Sequence, residues 1–267
     1  MIITIGKPFA VTDKGGRTHN EDAVFPLPER IEPGQRLFIV CDGVGGAEKG
    51  EVASALACES LSVYFDTFLK GDPTPDFIQK ALLYTEARFD DYVNAHPEAI
   101  GMATTLTLLY LGANGATLAH IGDSRIYHFR KGELLHQTED HSLVNSWIQL
   151  GKITREEAAV HPQRNVILRA IQGSSRPTEA EVCLLKDLQA GDYLFMCTDG
   201  VMEAVDNAAL ASLFESAPSA ESVKDTLTTA CMGNTRDNFS FYILPVQSVK
   251  ETMGFKQNIL SFLYSLA

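Results

Sequence analysis

Three strand-like segments follow one another between residues 103 and 130 without a helix between them. They are ATTLTLLYL (103–111), ATLAHIG (116–122) and RIYHFR (125–130). Each is short, apolar and rich in β-branched or aromatic residues. The GANG tetrapeptide (112–115) between the first two has hairpin-turn chemistry. Parallel neighbours need crossovers of about a dozen residues or more, so this stretch excludes a doubly wound parallel sheet and predicts antiparallel pairing. Further strands are predicted at RLFIVC (36–41), YLFMCT (193–198) and FSFYILPV (239–246). Helices are predicted in separate blocks, at 48–69, 76–94, 141–150, 154–160 and 219–232. In the first, Val52, Leu56, Leu61, Phe65 and Phe68 fall near one face. Strands paired locally and helices set apart predict an α+β fold with antiparallel sheets.

The spacing is read as one domain over 1–247, with an irregular, partly helical insertion at 141–172. A tail at 248–267 carries Phe255, Ile259, Phe262, Leu263 and Leu266 at helical spacing and is expected to form a docked helix. The chain is 45% hydrophobic, enough for one large core or two small ones. Its formal net charge of −12 argues against a nucleic-acid partner, because phosphate backbones select basic faces. The five cysteines are odd in number and lack CxxC spacing, so free thiols in a reducing compartment are expected. No stretch approaches the roughly 18 apolar residues of a membrane span. A cytoplasmic monomer without a membrane partner is therefore expected.

The chemistry lies at the strand ends. RLFIVC runs into Asp42, YLFMCT into Asp199 and LAHIG into Asp123, and Asp237 stands just ahead of FSFYILPV. Glu21 and Asp22 sit together before another apolar segment. One acid at a strand end usually caps a turn or helix. Several of them, on strands that stack, can converge on one edge, where mutual repulsion calls for protons or cations. All these donors are oxygens, and no HxH, HExxH or CxxC element accompanies them. Such a set suits Mg²⁺ or Mn²⁺ rather than Zn²⁺ or copper. More than three carboxylates suggests two ions, able to acidify a shared water and clamp a phosphoryl group. The glycines after Asp42, beginning with Gly43, allow close backbone approach. Arg17, whose planar fork matches phosphate oxygens, is placed to meet a substrate or to pair with the acids.

The segments RTHNEDA, CDGVGG, GMATTLTLLYL, HIGDSRIY, TDGV and RDN occur in the order seen in metal-dependent protein phosphatases, and the chain resembles the PPM or type 2C serine/threonine phosphatases over residues 10–246. The stretch EDHSLVNSWIQLGKITREEAAVHPQRNVILRAIQG is similar to the mobile flap of the bacterial branch. The resemblance implies an α-β-β-α sandwich of two antiparallel sheets flanked by helices, with a binuclear Mn²⁺/Mg²⁺ centre at one edge. It implies that Asp42 bridges two ions, that Asp199 and Asp237 complete one site, and that Glu21 and the Gly43 carbonyl serve the other. By the same resemblance Asp22 holds metal-bound water, Asp123 joins Asp199 at a third, weaker ion, Arg17 binds phosphate and Asn238 supports the ligands. His141 and His161, in the flap-like segment, are candidate substrate contacts, with surface or packing roles equally open. Val44 stands where animal members often have a histidine proposed as general acid, and a metal-bound water is the alternative proton source.

The expected reaction is direct attack of a bridging water or hydroxide on phosphoserine or phosphothreonine. No CxxxxxR loop or DxDx[TV] nucleophile offers a phosphoenzyme route. The expected partners are phosphorylated proteins, substrates of a cognate serine/threonine kinase. Two rival readings are a catalytically silent phosphoprotein-binding relative, against which the intact acid set argues, and a two-metal nuclease, against which the charge argues.

Overall fold

The computed structural model describes residues 1–44, 49–217 and 219–251. Its strands are β1 (Ile2–Ile5), β2 (Phe9–Asp13), β3 (Asp22–Phe25), β4 (Leu37–Val44), β5 (Ala103–Thr104), β6 (Leu106–Leu111), β7 (Ala116–Ile121), β8 (Arg125–Arg130), β9 (Glu133–Gln137), β10 (Glu181–Leu185), β11 (Asp192–Cys197) and β12 (Phe239–Lys250). Its α-helices are α1 (Lys49–Phe68), α2 (Pro75–Ala95), α3 (Leu143–Gln149), α4 (Arg155–Ala159), α5 (Asp199–Ala204), α6 (Asn207–Ser216) and α7 (Ala220–Cys231).

The strands form two antiparallel sheets. One runs β1-β12-β11-β8-β9, with β2 also paired to β12. The other runs β10-β7-β6-β4-β3, with β5 on β4. Side chains alternate across each strand, and the two parities find different partners. Phe38 and Val40 of β4 join Leu194 and Met196 of β11 and Tyr242 and Leu244 of β12 in a core between the sheets. Leu37, Ile39 and Cys41 face outward onto Leu56, Leu61 and Phe65 of α1 and Leu82 and Phe89 of α2. On the opposite outer face, Phe195, Cys197, Phe239 and Phe241 pack with Leu210 and Phe214 of α6 and Val223 and Leu227 of α7. The result is two sheets flanked by helices, as expected.

The strands and helices predicted ahead of residue 247 are all present, with boundaries moved by a few residues. The GANG turn closes the β6–β7 hairpin, with Gly112 N–H donating to the Gly115 carbonyl at 2.8 Å. The predicted α1 face is buried at Leu56, Leu61 and Phe65, whereas Phe68 is 54% exposed. Sequence periodicity missed β1, β2, β3, β9, β10, α5 and α6. Most are four to six residues long, too short to display a period, and they are held by cross-strand and interlayer contacts. Two corrections bear on function. The β4 strand does not stop at Cys41 but continues through Asp42 to Val44, because β5 offers it a partner at Gly43 and Val44. Asp199 does not simply end a strand: it opens α5, with Thr198 at the cap position. The 141–172 segment is the crossover from β9 in one sheet to β10 in the other. β12 extends past the expected boundary at 247 to Lys250, and the rest of the predicted tail helix lies outside the described residues. All five cysteines are free thiols. Among the described residues, no helix is long and apolar enough to cross a membrane.

Candidate metal centre

Strand parity delivers the first acid. Asp42 continues the inward-facing series Phe38, Val40 and so points into the end of the gap between the sheets. Asp22 is its direct partner across the β3–β4 register. The backbone of Asp42 is held on both sides: its N–H donates to Thr105 Oγ1 at 3.0 Å, and its carbonyl accepts from Thr104 Oγ1 at 2.9 Å. From the facing sheet, Thr198 Oγ1 donates to Asp22 Oδ2 at 2.9 Å. Asp22 Oδ1 is buried with no hydrogen-bond partner.

The remaining acids come from loops and helix starts pinned to this edge. Asn238 acts as a clamp: its Oδ1 accepts from Glu21 N–H at 2.8 Å, while its Nδ2 donates to the carbonyls of His19 at 2.8 Å and Lys14 at 2.9 Å. It thereby ties the 14–21 loop to the start of β12, beside Asp237. Gly200 lets α5 pass close to that point, since a Cβ there would lie 1.9 Å from the Asn238 carbonyl oxygen. Gly43 is required by the same kind of approach: a Cβ would lie 2.0 Å from the Gly50 carbonyl oxygen and 2.6 Å from that of Glu21. Asp123 sits in the β7–β8 turn, beside a 2.7 Å hydrogen bond between the Thr105 and Ser124 hydroxyls.

Glu21, Asp42, Asp123, Asp199 and Asp237 line one cavity of about 520 Å³, together with Arg17 and the backbone of Gly43. The electrostatics record their crowding. Burial, then the charges of Asp22, Asp199, Asp123 and Asp237, push the Asp42 carboxyl well up. Burial and then the charges of Asp199 and Asp140 raise Asp123 to about 8. Burial raises Asp22 to about 7 against the neighbouring hydroxyls of Ser240 and Thr198. Asp199 is raised to about 6 by burial and then Asp237, with a hydrogen bond to Asp42 opposing. Carboxyls this close and this dehydrated favour a proton or a cation. An all-oxygen set with an unpartnered buried Oδ1 behind it fits hard divalent ions such as Mg²⁺ or Mn²⁺.

Arg17 is in the cavity but not free. Its Nε and Nη2 donate to the two carboxylate oxygens of Asp237 at 2.9 and 2.7 Å. Arg125, of the GDSR segment, is likewise committed, to Asp140 at 2.7 Å through each of two nitrogens.

Neither flap histidine lines the cavity, and both take packing positions. His141 is drawn under the β7 edge, stacked 4.5 Å from the His120 ring. His161 packs edge-on against Trp147. Instead Asn165 and Ile167 bring the crossover segment to the cavity, and Thr18, His19 and Val44 complete its wall. Apart from Val44, sequence reasoning missed these residues. His19 and Thr18 had a signal, since they lie between Arg17 and Glu21. Asn165 and Ile167 had none, because the fold of an irregular segment decides which of its side chains reach the site.

The sequence profile of the family described as Protein phosphatase 2C matches residues 15–235. This chain belongs to the protein phosphatase 2C family. Among its relatives, the serine/threonine protein phosphatase PstP of Mycobacterium tuberculosis is 34% identical over 242 residues. That match covers 89% of this chain and 44% of PstP, so the chain spans less than half of that relative's length. The crystal structure of the M. tuberculosis phosphatase PstP/Ppp superposes with a TM-score of 0.80 at 31% identity, covering 91% of this chain and 99% of that one. A PstP catalytic domain in complex with two manganese ions superposes with a TM-score of 0.77 at 30% identity, covering 92% of this chain and 100% of that one. The likeness to these phosphatases extends to the two-sheet sandwich flanked by helices.

Proposed function

We propose that this chain is a metal-dependent serine/threonine protein phosphatase that hydrolyses phosphoserine and phosphothreonine in protein substrates. One observation carries the reading: five carboxylates from β4, the β7–β8 turn, α5 and two loops converge with one arginine on a single cavity. The PstP catalytic domain with two manganese ions supports the same reading. Asp42, Asp199 and Asp237 would hold one Mn²⁺ or Mg²⁺, and Asp42, Glu21 and the Gly43 carbonyl a second. Asp123 with Asp199 would hold a weaker third. When bound, such ions supply Lewis-acid neutralisation of phosphoryl oxygens and an acidified water for direct attack.

The chain's own groups do the rest. The Arg17 fork, which now spans both oxygens of Asp237, has the geometry to span two phosphoryl oxygens instead. Asp22 lies behind the cavity wall, with one oxygen held by Thr198 and the other without a partner, and would hold metal-bound water from there. Asn238 keeps the arginine-bearing loop and the acids in register. Val44 cannot protonate the leaving alkoxide. His19 is the imidazole of the cavity wall among the described residues, and it delivers that proton in this scheme. Phosphorylated substrates of a cognate kinase are the proposed partners, and a cytoplasmic monomer the proposed form.

The test is Mn²⁺-dependent phosphate release from a phosphothreonine peptide by the native chain and by Asp42→Asn and Asp199→Asn. Loss in both variants, with the circular dichroism spectrum retained, is expected. Full activity in both would reject the assignment.

A further inference from the structure

Apart from the acidic cavity, the described residues bring one other set of metal-ligating side chains together: His120, His141 and Glu181, whose ligand atoms all lie within 4.8 Å of one another. None of the three lines the cavity. Two are fixed by backbone register, since Glu181 of β10 is the direct cross-strand partner of His120 on β7, and such pairs project side by side. The third enters from the crossover segment. His141 stacks on His120 with ring centroids 4.5 Å apart, and its Nε2 lies 3.5 Å from Glu181 Oε2.

The His120 tautomer suits a ligand site, whereas in His141 the Gly122 N–H donates to Nδ1 and so leaves the ring proton on Nε2, which a metal ion has to displace. His120 Nε2 is 2.9 Å from the Glu139 carbonyl, an acceptor, so the proton belongs on Nε2 and the lone pair on Nδ1. A carbonyl holding the far nitrogen is the usual support of a metal-bound imidazole. The His141 side chain is only 9% exposed, and its Nε2 is buried with no hydrogen-bond partner. Four-coordinate Zn²⁺ with bonds of about 2.0–2.1 Å has ligand–ligand edges of roughly 3.3–3.4 Å. The 3.5 Å separation of His141 Nε2 from Glu181 Oε2 already matches one edge. The stacked rings have to turn toward each other to close the other edges, leaving an open position for water. Two nitrogens and one carboxylate select a borderline ion, unlike the all-oxygen cavity. Arg169 lies close enough to His141 to oppose a cation, and the Glu181 carboxylate offsets it.

We propose that His120, His141 and Glu181 form a second metal site of Zn²⁺ type, which ties the crossover segment to the β7–β10 edge. The site reaches the Asp123 turn through two hydrogen bonds to Gly122. Gly122 N–H donates to His141 Nδ1 at 3.2 Å, and His141 N–H donates back to the Gly122 carbonyl at 2.8 Å. Ligation through Nε2 moves the ring proton to Nδ1, and the Gly122 N–H then loses its acceptor. Gly122 precedes Asp123, so occupancy of this site acts on the Asp123 turn.

The test uses the full chain with the acidic cavity saturated with Mn²⁺, titrated calorimetrically with Zn²⁺. One further Zn²⁺ per chain is expected, weakened by at least about tenfold in both His141→Gln and Glu181→Gln. Glu181 is well exposed, so Glu181→Gln keeps the fold and its Mn²⁺ isotherm even if His141→Gln does not. Exchange of the Gly122 amide should accelerate when Zn²⁺ binds. Absence of Zn²⁺ binding beyond the Mn²⁺-loaded cavity, or Zn²⁺ binding unaltered in Glu181→Gln, would overturn the site. An unmoved Gly122 amide would overturn its link to Asp123.

Discussion

Arg17 and Asp237, 220 residues apart in sequence, form a two-point ion pair at the mouth of the acidic cavity, with nitrogen–oxygen distances of 2.7 and 2.9 Å. The pair engages both oxygens of a carboxylate proposed to hold a metal ion, and the whole fork of an arginine proposed to hold phosphate. Phosphate has to take the Arg17 fork from Asp237, while a metal ion at Asp237 has to share the carboxylate lone pairs with that fork.

Removal of Arg17 should therefore have two opposite effects. Exposed pairs contribute little, so Arg17→Ala should tighten Mn²⁺ binding by only about two- to fivefold. The KM for a phosphothreonine peptide should rise by about tenfold or more, because charge-assisted hydrogen bonds to phosphate are lost. Arg17→Lys should recover only part of that loss, since an ammonium makes no two-point contact. Calorimetry with Mn²⁺ and steady-state kinetics check both effects.

His19 should matter according to the leaving group. Proton delivery is worth about 10²–10⁴ in rate where the leaving oxygen is strongly basic. His19→Gln should slow phosphothreonine hydrolysis by about a hundredfold and leave p-nitrophenyl phosphate nearly untouched, because nitrophenolate departs without a proton. Equal losses on both substrates would remove His19 from that role.

The metal-stripped protein should be more stable in mild acid than at neutral pH. Asp199 at about 6, Asp22 at about 7 and Asp123 at about 8 bind protons in the folded state that unfolded carboxyls release near their ordinary value of about 4. The folded state thus binds more protons between about pH 4 and 8, and stability falls as pH rises across that window. Melting temperatures after EDTA treatment should drop from about pH 5 to about pH 8, and saturating Mn²⁺ should remove the slope. Under the same metal-free conditions, Asp42→Asn should melt higher than the native sequence near pH 8, since it removes a buried charge.

Asp192 should show the opposite pH dependence. Burial alone would raise its carboxyl, but hydrogen bonds from Arg130, Gln189 and His128 outweigh burial and hold it below the usual range. Its stabilisation is present above the unfolded value of about 4 and is lost as pH falls through the lower folded value. Asp192 is buried and bonded to Arg130 Nε at 2.8 Å and His128 Nε2 at 2.7 Å. Asp192→Asn should cost about 3–5 kcal/mol at neutral pH, since it removes the buried partner of Arg130 and leaves it only the exposed Asp187. Chemical denaturation at two pH values measures this.

Gly43→Ala should destabilise the chain although its backbone conformation is ordinary, because the added methyl has no space beside the Gly50 carbonyl. A lower melting temperature and weaker Mn²⁺ binding are expected. An unchanged melting temperature would show that the α1 start can retreat.

Much of this protein was legible in one dimension. The apolar runs ending in Asp42 and Asp199, and the unbroken succession of strands from residue 103, determined antiparallel sheets and an acid-bearing edge. Those signals are local: period-2 burial, and charge where burial stops. What the linear chain left open was every relation between distant segments. Only the folded structure shows that Arg17 is taken by Asp237, that Asn238 clamps the 14–21 loop, and that His141 leaves the cavity for His120 while Asn165 and Ile167 enter it. Those choices depend on interlayer packing and on hydrogen bonds between residues tens to hundreds of positions apart, for which a local pattern carries no record.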